Sequence, residues 1–283
     1  MILFPENGRL GNQLFQYCGL QSFLPNQRIV FFGFEDLSSI FLDSNAVFIC
    51  KKFFFHTLLF KFFCALLILL SRLRILSQIT EELYADKYQL VLRKGLLFNV
   101  YVPIDIFFQH YDAFSKFTNL PSLHPSLIDS AYSWLASRGL DPIADNLIFV
   151  HIRRGDYLRW PSAEAPAALP CSWYLHAIEL MQSKFPNSVF IFLSDDVMYL
   201  EDIFGSLPCF YISHNTPQVD LAIMSICNSG ILSASSFAWW GAYYSRIYNS
   251  VYSSYVAPEF WCGHRMLAWF PEYFRAKWIT YLR

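Results

Sequence analysis

In the second half of the chain, apolar residues fall in short unbroken runs separated by stretches of helical period. That is the pattern of buried parallel strands joined by crossover helices. Leu147–Ile152, Val189–Leu193, Phe210–Ile212, Gly230–Leu232 and Val251–Ala257 read as the strands. Trp173–Phe185 places Tyr174, Ala177, Ile178, Met181 and Phe185 on one helical face, and Val197–Phe204 and Asp220–Cys227 are also predicted helices. Ser235 and Ser236 open a further helix over Phe237–Arg246. The N-terminal half repeats the theme less fully. Ile2–Phe4 reads as a strand, Gly8–Gly11 as a turn, and Asn12 as the start of a helix burying Leu14, Phe15, Cys18 and Phe23. Ile29–Phe32 is a second strand, whereas residues 81–120 are dense in aromatics without a period and are expected to be irregular. Pro121, Pro125, Gly139 and Pro142 bracket a short helix, Leu127–Ala136, and set an expected boundary near 140. The expectation is therefore an α/β protein of two domains, 1–140 and 141–283, built as two Rossmann-like halves facing a cleft.

One segment departs from this pattern. Phe53–Leu70 is nearly all apolar, broken by His56, Thr57 and Lys61 and flanked by Lys51, Lys52, Arg72 and Arg74. A bilayer span needs about 20 predominantly apolar residues. This stretch is short for that and carries Lys61 near its middle. Its basic flanks suit a helix lying in a membrane interface; the alternative is a helix buried in its own domain. Both readings of 51–76 stay open.

Composition adds limits. The 283 residues are 55% hydrophobic and 19% aromatic, enough to bury two cores. A net charge of −1 offers nothing global to nucleic acid, so any anion site must be local. The cysteines (Cys18, Cys50, Cys64, Cys171, Cys209, Cys227 and Cys262) are odd in number and contain no Cys-x-x-Cys. They read as reduced, mostly buried thiols in a reducing compartment, with no disulfide frame or zinc site. There is no Asn-x-Ser/Thr acceptor, and Met1–Pro5 is too short and uncharged for a signal peptide. The expected location is cytoplasmic, with peripheral contact at the inner membrane face through 51–76; for a eukaryotic source the alternative is the Golgi membrane.

The chemistry gathers at Val150–Tyr157, V-H-I-R-R-G-D-Y, where a buried strand ends in His151, Arg153 and Arg154 before Gly155 and Asp156 turn the chain. Ligands of open α/β sheets bind outside the carboxyl ends of the strands. Two guanidiniums there suit phosphate oxygens, because Arg presents a planar fork of donors. Ser235 and Ser236, at a second strand end, offer hydroxyls and helix N-terminal N–H groups to the same phosphates, or simply cap the helix. The Gly8–Gly11 turn likewise lets the backbone near Gly11 approach an anion. Asp195-Asp196 reads as a helix N-cap pair rather than metal ligands, since neighbouring side chains point apart, and no Asp-x-Asp occurs.

These residues also resemble a family. His151–Tyr157 is similar to the GDP-sugar motif of the α-1,2-fucosyltransferases. Gly8–Tyr17 (G-R-L-G-N-Q-L-F-Q-Y) resembles that family's Gly-Asn-Gln loop, and Ser233–Gly241 (S-A-S-S-F-A-W-W-G) its Ser-Ser-Phe-x-Trp-Trp-Gly block. Three motifs in order, from residue 8 to residue 241, cover most of the chain. Departures are Ala234 where Asn is usual, Asn228 where His is common, and Ile106–His110 in place of a Gly-Tyr-Trp-Gln-like block.

The resemblance implies the GT-B glycosyltransferase architecture, GDP-fucose as donor, no metal or other cofactor, and a galactose-terminated oligosaccharide or glycolipid acceptor. It puts Arg153 and Arg154 on the diphosphate, with a Ser of the Ser235-Ser236 pair on the β-phosphate. It puts His151 near the base, Asp220 on guanine, and Asn12 beside acceptor or phosphate. Read from the residues alone, Asp220 is equally a cap for the helix that follows. Candidate general bases are Asp156, Glu164, His110 and Asp112. The implied reaction is inverting, metal-independent transfer of L-fucose to the 2-hydroxyl of a terminal galactoside. Rivals are another GDP-sugar transferase of protein O-fucosyl or α-1,6-fucosyl type, and a non-catalytic nucleotide-sugar or membrane-surface binding module.

Overall fold

A computed structural model describes residues 1–41, 46–54, 57–84, 87–117, 120–205, 210–249, 253–269 and 274–283. His56, Cys209 and the first two residues of the expected strand at 251–257 lie outside them. The chain forms two compact units, Met1–His124 and Pro125–Arg283.

The first unit contains β1 (Ile2–Pro5), α1 (Leu10–Phe23), β2 (Ile29–Phe32), α2 (Glu35–Ser38), β3 (Ala46–Ile49), α3 (Thr57–Arg72), β4 (Leu76–Tyr84), β5 (Lys87–Arg93), β6 (Leu97–Pro103) and α4 (Tyr111–Phe114). Its sheet runs β3-β2-β1-β6-β4-β5, parallel except for β5, which pairs antiparallel with β4. Much of 81–120 is therefore regular, contrary to the sequence reading. The pattern is hidden because polar residues occupy inward positions of β4 and are satisfied there. Ser77 Oγ accepts the Gly95 N–H at 3.0 Å. The Glu81 carboxylate accepts the Phe107 N–H at 3.0 Å, the Phe108 N–H, and the Tyr88 hydroxyl at 3.0 Å.

Helix α1 begins two residues earlier than the spacing predicts. Gly8 takes φ +79°, where a Cβ is costly, and Arg9 is the extended N-cap, so Gly11 and Asn12 fall in the first turn. Helix α3 is buried along one face only. Phe60 and Leu67 pack against Val30, Phe32, Leu76 and Val102, whereas the opposite face stays exposed, so the helix is not buried whole as one of the two readings had it. Among the described residues no helix is long and apolar enough to cross a membrane.

The second unit contains α5 (Pro125–Ala136), β7 (Leu147–Ile152), α6 (Cys171–Lys184), β8 (Val189–Ser194), α7 (Val197–Phe204), β9 (Phe210–Ile212), α8 (Pro217–Ile226), β10 (Ser229–Ile231), α9 (Ser236–Tyr248), β11 (Tyr255–Pro258) and β12 (Ile279–Leu282). The sheet is wholly parallel, in the order β12-β11-β10-β7-β8-β9. All six residues of β7 are buried at its centre, which is why that run is so purely apolar. The edge strand β12 was not anticipated. The unit boundary also falls before α5 rather than near 140, because α5 packs on α8 and so belongs to the second unit. The six described cysteines are free thiols; only Cys18 and Cys227 are buried, fewer than expected.

Candidate active site

Both sheets reverse their strand order beside the motifs. In the second unit the chain steps from β7 out through β8 to β9, then returns to β10 on the other side of β7. In the first it steps from β1 out to β3, then returns to the far side of β1 with β6. Such switch points open a crevice outside the carboxyl ends of the two diverging strands. His151, Arg153 and Arg154 end β7, and Ser233–Ser236 follow β10. Gly11 and Asn12 follow β1. Register makes the second site coherent: Ile231 pairs with Val150, and Ile152 with Ser194.

At the end of β7 the two arginines are anchored differently. The guanidinium of Arg153 divides its fork, Nη1 to Asp195 Oδ2 at 2.9 Å and Nη2 to Asp156 Oδ1 at 2.6 Å. Arg154 gives Nε to Asp196 Oδ2 at 3.0 Å, stacks its guanidinium 3.6 Å from the Tyr199 ring, and donates its backbone N–H to Asp195 Oδ1 at 2.9 Å. Gly155 makes this possible, since a Cβ there would lie 2.4 Å from Asp195 Oδ2. The adjacent aspartates do point apart, and Asp196 caps α7 by accepting the Tyr199 N–H at 3.2 Å. Asp195, however, is the anchor of Arg153. Sequence reasoning missed that role; the only signal was its place at the end of the strand next to β7.

His151 is buried, with Nδ1 2.8 Å from Ser233 Oγ and its ring 5.5 Å from that of Phe237. Burial, reinforced by the charge of Arg153, pushes its pKa down to about 3, so the imidazole is neutral near pH 7. It is a fixed neutral group at the switch point, positioned by a serine of the neighbouring block. Ser235 caps α9, its Oγ accepting the Phe237 N–H at 3.2 Å, and Ser236 is the helix's first residue. The Trp-Trp-Gly part of the block is architecture. Trp239 and Trp240 are fully buried, and a Cβ on Gly241 would meet Met224 Sδ of α8 at 2.6 Å. Only Gly lets α8 and α9 approach so closely.

Asp220 lies in the first turn of α8, but its carboxylate does not cap that helix. It accepts the Ser213 hydroxyl at 2.5 Å, just beyond the end of β9, and Ser213 Oγ in turn accepts Asn215 Nδ2 at 2.9 Å. Burial raises its pKa from 3.8 to about 7. A carboxyl removed from water and held by one hydroxyl is poised for a further donor. Asp220, His151, Arg153, Arg154, Ser235 and Ser236 thus share the carboxyl edge of one sheet.

Gly11 and Asn12 belong to the first unit. Asn12 Oδ1 accepts Gln109 Nε2 at 2.7 Å, joining the loop after β1 to the loop after β6. The second loop takes left-handed backbone at Asp105 and Phe108, φ +50° and +54°, and the Glu81 contacts hold it. His110 stacks on Tyr88 at 5.4 Å and its Nδ1 accepts the Asp112 N–H at 3.1 Å; burial lowers its pKa. Of the other candidate bases, Asp156 is engaged by Arg153 and Glu164 is exposed.

The sequence profile of glycosyl transferase family 11 matches residues 5–282. The chain belongs to that family. Among its curated relatives, the O-antigen biosynthesis glycosyltransferase WbnK of Escherichia coli is 32% identical over 121 residues, covering 41% of this chain and 39% of WbnK. An α-1,2-colitosyltransferase of Escherichia coli is 35% identical over 144 residues, 47% of each chain. The mouse galactoside 2-α-L-fucosyltransferase Sec1 is 27% identical over 131 residues, 43% of this chain and 35% of Sec1. The matches span less than half the length of these relatives. The α-1,2-fucosyltransferase resemblance read from the three motifs is borne out at family level.

Among solved structures, a glycosyl transferase family 9 protein of Veillonella parvula superposes with TM-score 0.52 at 15% identity, over 90% of this chain and 80% of its own. The fucosyltransferase NodZ of Bradyrhizobium gives TM-score 0.50 at 11% identity, over 85% and 90%. At such identities the likeness concerns fold alone. The family 11 chain is α/β and GT-B-like, with two Rossmann-like halves.

Proposed function

We propose that this family 11 protein transfers L-fucose from GDP-fucose to the 2-hydroxyl of a terminal galactoside, with inversion and without a metal. The observation that carries the reading is the edge of the second sheet. Paired guanidiniums, a helix N-terminus capped by Ser235 and a buried carboxyl at Asp220 stand where a nucleoside diphosphate would lie, in a family whose named relatives include α-1,2-fucosyltransferases.

In the proposed reaction the acceptor 2-oxygen attacks the anomeric carbon as the bond to the diphosphate oxygen breaks. The electron pair leaves with GDP, and the acceptor proton passes to a base. Charge grows on the leaving diphosphate, where Arg153, Arg154 and the N–H groups at the start of α9 supply donors that need no reorganisation. Arg153 must trade Asp156, its more exposed partner, for phosphate oxygen. Asp195 and Asp196 are committed to the two arginines. With no Asp-x-Asp in the chain, the arginines take the place of a bridging cation. Transfer is therefore expected to survive excess EDTA; a collapse that only added divalent metal restores would contradict this.

The 35% identity to an α-1,2-colitosyltransferase favours one second reading, GDP-colitose as donor. Colitose lacks the 3-hydroxyl of fucose. A site built to hydrogen-bond that hydroxyl rejects the analogue by several decades, because its polar groups are left unpaired. Rates with GDP-fucose, GDP-colitose and GDP-mannose on a set of terminal galactosides decide between them. The fucosyl reading requires GDP-fucose to lead; turnover of GDP-colitose alone would replace it.

A further inference from the structure

Helix α3 is apolar on both sides, yet only one side is covered. Opposite Phe60 and Leu67, the residues Leu58, Phe62, Leu69 and Leu73 are exposed by 67, 68, 51 and 61%. A helix apolar all round belongs in an apolar environment. The patch continues past the helix: the Leu96 N–H donates to Arg74 O at 2.9 Å, setting Leu96, 79% exposed, and Phe98, 56% exposed, beyond the helix end.

The charge within this segment has one sign. No acidic residue occurs between Cys50 and Thr80. Lys51 is taken by Glu6 and Glu35 at 2.6 and 3.6 Å. Lys52, Lys61, Arg72 and Arg74 carry no ion pair among the described residues. Lys61 and Arg72 are eleven residues apart, so they fall on nearly the same edge of the helix, about 16 Å apart along its axis. Long basic side chains on the edge of an apolar face reach outward while their stems add apolar cover. At 16 residues α3 spans about 24 Å, short of the hydrocarbon core of a bilayer.

We propose that this face of the first unit docks on an anionic lipid surface, with α3 lying in the plane of the interface and its basic edge on the headgroups. The apolar face supplies insertion and the basic edge the preference for negative lipid. Each basic side chain near such a surface contributes about fivefold in partition.

The test is co-sedimentation of the full chain with vesicles of phosphatidylcholine, with and without phosphatidylglycerol. The expected result is binding to the phosphatidylglycerol vesicles and far less to pure phosphatidylcholine. Lys61→Gln/Arg72→Gln should weaken binding about twentyfold. Phe62→Glu/Leu69→Glu should abolish it without lowering the thermal midpoint, since both side chains are exposed. Absence of vesicle binding, or equal binding to neutral vesicles, overturns the proposal. So does a dimer in light scattering that Phe62→Glu/Leu69→Glu dissociates, which would assign the face to a second copy.

Discussion

Arg153→Lys is expected to lower turnover at least a hundredfold while the protein remains folded. Lysine keeps the positive charge, so the carboxylates of Asp195 and Asp156 are not left facing each other without a cation. It cannot keep the geometry. Arg153 reaches Asp195 with one terminal nitrogen and Asp156 with the other, at 2.9 and 2.6 Å, and a single ammonium does not span both. With donor bound, the same fork would hold Asp195 through one arm and a phosphate oxygen through the other. Removing one preorganised donor of this kind costs about 3 kcal/mol at the transition state, two decades or more in rate. The loss should fall on kcat more than on KM, because charge on the diphosphate develops as the glycosidic bond breaks. Steady-state kinetics with GDP-fucose, alongside thermal unfolding, check this. A folded Arg153→Lys protein with near-normal turnover removes Arg153 from the chemistry.

The site in which Arg153 is proposed to act was only half visible in the sequence. The arginines themselves were legible because a strand buried on both faces must end where polar residues begin, and Leu147–Ile152 ends there. Asp195 was not, because its value lies in the pairing of β7 with β8, a long-range fact that no local spacing carries. The same holds for Ser233 beside His151 and Ser213 beside Asp220. In the first unit, Ser77 and Glu81 made β4 look irregular, since a polar residue facing inward breaks the alternation that marks a strand. Their partners, Gly95 and the Phe107–Phe108 backbone, come from later in the chain. Strands β3 and β12 show the opposite case: each is a four-residue piece at the edge of its sheet, declared only by the one neighbour it pairs with. Helix α3 was legible as a helix, but which face it buries is decided by the sheet.

Asp220→Ala is expected to weaken GDP binding by one to two decades and to flatten the preference for GDP over UDP and ADP. Guanine presents N1–H and N2–H₂ side by side, and a carboxylate accepts from both, whereas adenine and uracil offer no such pair. A charge-assisted bidentate contact of this type contributes roughly 1–3 kcal/mol of discrimination. The structure supports the assignment over a capping role, since the carboxylate of Asp220 turns to Ser213 and is buried. Burial also gives the contact a pH signature. With the pKa raised from 3.8 to about 7, the folded free protein holds a proton that the unfolded chain releases between those values. Stability from this group is thus full below about pH 4 and is lost as pH rises through 7. Guanine requires the ionised form, so GDP affinity should rise with pH up to about 7 and level off above it. Asp220→Asn should remove that slope. Calorimetric titration of the three nucleotides at several pH values decides the matter; a variant that keeps its preference for GDP assigns guanine recognition to another group.

The central claim is the reaction itself, and the structure of its product tests it most directly. Purified protein, GDP-fucose and an oligosaccharide ending in galactose should yield GDP and a fucosylated product. Its linkage and anomeric configuration are readable by NMR. The expected product carries fucose α-linked to the 2-hydroxyl of the terminal galactose, inverted from the β-linked donor. A different linkage, retained configuration, or no product across a panel of galactosides and donors would contradict the account.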